Sequence, residues 1–144
     1  MGLLSDLFIT TPPELQSLDI RQSPAQSLPS VRARRIEVVK LVQLQCIMDG
    51  SSFNDHLNSL GDMIVRSASD DGPWVVLVPN ALTRALAEAD RSQVEEMGRL
   101  WASTEEWLLD GGREEEIISL IKEIATLARK AVAGGQNLYC WISL

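Results

Sequence analysis

Polar and apolar positions change period several times along the chain, and each change marks an element. Leu4 to Thr10 reads as a short strand. Thr11-Pro12-Pro13-Glu14 follows as a helix start: Thr11 at the N-cap, Pro12 where no N–H is needed, and Glu14 to close a capping box. That helix is short, about Pro12 to Leu18. Residues 19–30 are polar with two prolines and read as a loop. Val31 to Ile36 reads as an edge strand or an extended connector. Over Glu37 to Met48, apolar residues leave only a narrow polar stripe at Glu37, Lys40 and Gln43, which predicts a helix buried on most sides. Asp49-Gly50 ends it, and Ser51 or Ser52 caps a second short helix through Leu60.

Met63-Ile64-Val65 and Trp74 to Val78 then read as two strands of a hairpin, with Ser69-Asp70-Asp71-Gly72-Pro73 as the turn. WVVLV is apolar on both faces, as a covered central strand would be. Asn80 is placed to cap a helix to Ala89. Ser92-Gln93-Val94-Glu95 reads as another capping box, opening one helix whose apolar positions are Val94, Met97, Leu100, Trp101, Thr104, Trp107 and Leu108. Glu95 and Arg99 form an i,i+4 pair on its polar side. Gly111-Gly112 breaks the chain before a long helix from about Arg113 to Ala133. Its acids Glu114, Glu115 and Glu116 suit the helix start, and Arg129 and Lys130 suit its end. Leu138 to Leu144 alternates as a terminal strand. These elements predict a single α+β domain over residues 1–144. Its small, mainly antiparallel sheet comprises the N-terminal strand, the hairpin and the C-terminal strand, packed with five or six helices.

Charge narrows the functional classes. The chain of 144 residues carries a formal net charge of −7. Residues 88–116 hold ten acids against three arginines, so this helical segment is where a basic partner is drawn. Glu95, Glu96, Glu105, Glu106 and Asp110 are the candidate contacts. A partner with a phosphate backbone is disfavoured, since Arg32, Arg34, Arg35 and Lys40 form the one basic cluster. No apolar run approaches the roughly 20 residues that span a bilayer, and the opening MGLLSDLFITTPP lacks the basic start and long apolar stretch of a signal peptide. With two cysteines at no metal or redox spacing, the expectation is a cytoplasmic protein with two buried thiols.

Catalytic signals are sparse. His56 is the single histidine, Cys46 and Cys140 read as small core residues, and Glu105 and Glu106 are neighbours that point about 100° apart on a helix. No phosphate loop, nucleophile elbow or zinc-protease motif is present. No catalytic residue, cofactor or metal is therefore expected. Four of the seven aromatic residues are tryptophans. Trp74, Trp101, Trp107 and Trp141 either fill the core or line one small-ligand pocket where helix meets sheet.

The order of hairpin WVVLVP, Trp-bearing helix, long helix and closing GGQNLYCWISL resembles the YfbM-like bacterial proteins. The opening LLSDLFITTPPEL is similar to that of other small bacterial proteins. The resemblance implies an α+β fold and a bacterial source, and it carries no activity. The expected function is a non-enzymatic binding protein whose acidic helical surface engages a basic protein, such as a toxin-neutralising immunity protein or a regulator. The alternative is a small-ligand module built around the tryptophans.

Overall fold

The alternation at the end of the chain becomes the middle of the sheet. In a computed structural model, which describes residues 3–144 and so leaves Met1 and Gly2 outside, the last strand pairs on both sides. The strands are β1 (Leu4–Thr10), β2 (Ser30–Val31), β3 (Ile64–Ser67), β4 (Trp74–Leu77) and β5 (Asn137–Ser143). They form one antiparallel sheet in the order β2-β1-β5-β4-β3. The helices are α1 (Pro12–Ser17), α2 (Val38–Asp49), α3 (Asn80–Glu88), α4 (Arg91–Ala102), α5 (Glu105–Leu109) and α6 (Glu114–Ala133). Short 3-10 turns at Pro24–Gln26, Phe53–Ser59 and Gly61–Met63 fill the connections. This is the α+β fold that the sequence predicts.

Both faces of the sheet are covered. Leu7, Ile9, Val76, Leu138, Cys140 and Ile142 point to a core closed by α2, α3, α4 and α6. Phe8, Val75, Tyr139 and Trp141 point the other way, beneath Leu15 and Ile20 of the α1 region. Phe8 and Tyr139 stack with centroids 5.6 Å apart. The period-two pattern of a strand thus feeds two separate cores at once. The polar positions of β1 are used as ties: Ser5 is fully buried and its Oγ accepts the Ile36 N–H at 2.9 Å, fixing the entry to α2.

Local starts and stops follow the expected chemistry with four corrections. Thr11 caps α1 by accepting the Glu14 N–H at 3.4 Å, while the Glu14 carboxylate takes the Thr10 hydroxyl instead of closing a box. Asn80 is the first helical residue of α3, and Pro79 stands at its N-cap. The capping box of α4 is Asp90 with Gln93, not Ser92 with Glu95. Both tetrapeptides fit the rule, and the earlier one lengthens the helix by two residues. The single helix expected through Leu108 is two helices. Ser103 Oγ donates to Leu100 O at 2.6 Å and Thr104 Oγ1 to Trp101 O at 2.7 Å, so side-chain hydroxyls replace the next backbone donors and the chain turns. Of the two readings of Val31 to Ile36, edge strand or extended connector, the structure has the connector, with pairing at β2 and a bridge between Leu4 and Arg34.

The helical layer is drawn tight where α4 crosses α6. A Cβ on Gly98 would meet Ile121 Cγ2 at 2.8 Å and the Ile118 Cα at 3.0 Å. Because one of those contacts is backbone, a rotamer change cannot relieve it. Gly98→Ala gains about 1 kcal/mol of helix propensity and loses about 1–3 kcal/mol to overpacking. A lower urea midpoint, corresponding to a net loss of up to about 2 kcal/mol, is expected; a raised midpoint would show that the two helices separate freely.

Candidate functional site

The acidic segment is less free than its composition suggests. The expected Glu95–Arg99 pair does not form. Arg99 turns to Glu96, with Nε to Oε2 at 3.0 Å, and Glu95 meets Lys122 of α6 at 2.9 Å and Arg91 at 3.3 Å. Packing of α4 on α6 brings Lys122 within reach, which no reading of one helix foresees. These partners hold both carboxyls below the usual glutamate range, Glu95 chiefly through the hydrogen bond from Lys122 and Glu96 through that from Arg99. Glu106 accepts the Gln43 amide and Asp110 accepts Lys40. Of the five expected contact acids, Glu105 alone is exposed with no ion pair to a described residue.

Lys40 corrects the polar stripe of α2. Its side chain is 2% exposed, where a solvated lysine was expected. The ammonium donates to the Arg35 carbonyl at 2.5 Å and to the Asp110 carboxylate, and it lies 4.3 Å from the centroid of the Trp107 ring. A buried charge is tolerable only when paired and hydrogen-bonded. Here carboxylate, carbonyl and ring face share that work. The consequence is mechanical: α2 is fastened to the turn between α5 and α6, seventy positions away. Arg35, the one described non-glycine residue with left-handed backbone (φ 63°), turns its carbonyl toward Lys40 and reaches the Asp110 carbonyl with its guanidinium.

The four tryptophans do not share one pocket. Trp101 is fully buried on the helical side, edge-on to Trp107 with centroids 5.4 Å apart, and its Nε1 donates to Lys40 O at 2.9 Å. Trp141 lies across the sheet and donates to Ile20 O at 2.7 Å. Trp74 is half-buried on β4. Trp141 and Trp107 border separate clefts, each of about 650 Å³. The Trp107 Nε1 and the Gln43 Oε1 are buried without partners.

A small polar knot closes α2. Ser51 Oγ lies 2.5 Å from Asp49 Oδ1, 2.9 Å from His56 Nε2 and 3.7 Å from Cys46 Sγ. A hydroxyl has one proton, and the carboxylate takes it. Nε2 must therefore carry a hydrogen and donate to Ser51, so His56 is not placed as the base for this serine. The two Ser51 donors hold Asp49 below the usual aspartate range, the side-chain bond contributing most. Cys46, expected to be buried, is half-exposed beside this knot; Cys140 is buried as expected.

No helix among the described residues is long and apolar enough to cross a membrane. No family model matches the chain, and no curated protein matches it either. Among solved structures it is similar to the crystal structure of a protein of unknown function, YfbM from Escherichia coli. The two are 16% identical over 96% of this chain and 99% of that one, with a TM-score of 0.48. The resemblance read from element order thus has a distant structural counterpart, which carries no activity across.

Two measurements test these ties. Removing the carboxylate by Asp110→Ala leaves the buried ammonium with only the Arg35 carbonyl and the Trp107 ring and, since Asp110 is itself part-exposed, is expected to cost about 2 kcal/mol in chemical denaturation, whereas Lys40→Met is expected to cost about 1 kcal/mol or less. The reverse ranking would show that Asp110 does not fasten α2. Ser51→Ala is expected to raise the Asp49 pKa toward the ordinary aspartate value in a carboxyl NMR titration. Because that pKa is lowered on folding, its stabilisation is complete above the ordinary aspartate range and is lost as pH falls through the folded value. An unchanged Asp49 titration would dissociate the knot from the shift.

Proposed function

We propose that the chain is a binding protein, with no bond-making chemistry of its own, that holds a basic protein at the tip of α5. One observation carries the reading. Leu108 and Leu109 stand side by side, 62% and 78% exposed. Glu105 lies three and four positions before them and so shares their helix face. Burying such leucines on a partner contributes on the order of 1–2 kcal/mol each. An apolar pair flanked by an unpaired acid suits a partner surface with an apolar seat and a lysine or arginine rim.

The remaining acids act at longer range in this reading. Glu95, Glu96, Glu106 and Asp110 have partners within the molecule, so they supply field rather than direct contacts. A net charge of −7 draws a cationic protein toward the surface before it docks. A cytoplasmic bacterial immunity protein that neutralises a basic toxin, or a regulator, is the kind of protein this describes.

Affinity capture from cell extract at low salt is expected to retain a basic protein that high salt releases, because exposed charge is screened. Hydrogen exchange on the purified pair is expected to slow at α5. Leu109→Ser and Glu105→Lys, at exposed positions where folding changes by about 0.5 kcal/mol or less, are expected to release the partner. Equal retention by both variants, or protection confined to a surface remote from α5, overturns the reading.

A further inference from the structure

We propose that the cleft between residues 32–35 and the start of α6 binds a small molecule bearing clustered anionic oxygens, as phosphate or carboxylate groups. The cleft measures about 650 Å³ and is bordered by Arg32, Arg34, Arg35 and Arg113. In a chain of net charge −7, four of the thirteen basic residues thus border one hollow. Like charges gathered this way repel one another unless something anionic sits between them.

The guanidiniums are also free to act. Arg32 and Arg34 make no ion pair and no side-chain hydrogen bond with a described residue. Arg35 spends one donor on the Asp110 carbonyl and keeps the rest of its five-donor fork. Arg113 meets Glu116 only at 3.8 Å, with both side chains exposed, a pairing of little worth. Acids border the cleft as well. Asp110 is committed to Lys40, and setting Glu116 against Arg113 leaves Glu123 as the one further acid bordering this cleft with Arg32, Arg34 and Arg35; Arg32 and Arg34 also adjoin Asp6 in the neighbouring cleft. The balance inside the hollow is therefore positive while the molecule around it is negative.

Two further observations bear on the same place. Arg35 holds a left-handed backbone that costs a non-glycine residue about 1–3 kcal/mol. Trp107, which forms part of the cleft wall, has a buried Nε1 hydrogen with no acceptor. Cleft size selects the ligand class. A volume in the range of small-molecule sites takes a compact anion, whereas the net charge of −7 repels a long polyanion. The planar fork of arginine matches phosphate and carboxylate oxygens two at a time.

The test is calorimetric titration of the full chain with inorganic pyrophosphate and, separately, with citrate. Saturable one-to-one binding that weakens as salt rises is expected, and the tighter of the two names the source of the oxygens. Arg34→Gln and Arg113→Gln, at exposed positions, are each expected to weaken binding about tenfold or more, as loss of a charge-assisted hydrogen bond does. Arg84→Gln, remote from the cleft, is expected to leave it unchanged. Absence of saturable binding at millimolar ligand, or an equal response in all three variants, overturns the proposal.

Discussion

The fold depends on β5 being apolar on both faces. Every side chain from Leu138 to Ile142 is buried, and the strand hydrogen-bonds to β1 on one edge and β4 on the other. Neither core can close without it, because each face of the sheet is completed by alternate residues of the same seven-residue segment. The α1 region and the large helices are therefore two independent covers on one shared plate. A substitution in β5 is felt on whichever side its parity selects, while α4, α5 and α6 respond only to the even-numbered positions.

Much of this was readable from local chemistry. The β5 alternation, the Thr11-Pro12 start of α1 and the long apolar side of α6 each follow from residues within a few positions of one another. What escaped the sequence depends on distant partners. Lys40 looks like the solvated edge of α2 because its carboxylate, Asp110, lies seventy positions on. Glu95 looks like a partner for Arg99 until α6 brings Lys122 to it. The break after Ala102 escaped because Thr104 fits the apolar spacing; its hydroxyl, bound to Trp101 O, stops the helix. The candidate contact acids were found by composition, but which of them remains free is decided by tertiary packing.

Charge is consequently distributed against first appearance. Glu95, Glu96, Glu106 and Asp110 are held in internal bonds, while the arginines after β2 stand largely unspent. Lys40 joins the two regions. Its ammonium binds the carbonyl of Arg35 on one side and the carboxylate of Asp110 on the other, so the basic strap and the α5–α6 turn share one anchor. Asp110 borders both the arginine cleft and the hollow beside Leu109, so a shift of the turn would move both.

The thiol at the centre of β5 has a use of its own. Burial pushes the Cys140 pKa up, with Asp6 and Glu37 adding to the effect, so the reactive thiolate is suppressed while the sheet is whole. Cys46 on α2 is only part-buried in the native state. An alkylating agent therefore marks the molecule in two instalments: the first records accessibility, and the second records how often β5 comes away from its neighbours. The protein carries its own stopwatch for sheet opening, readable by mass under conditions in which nearly every molecule is folded.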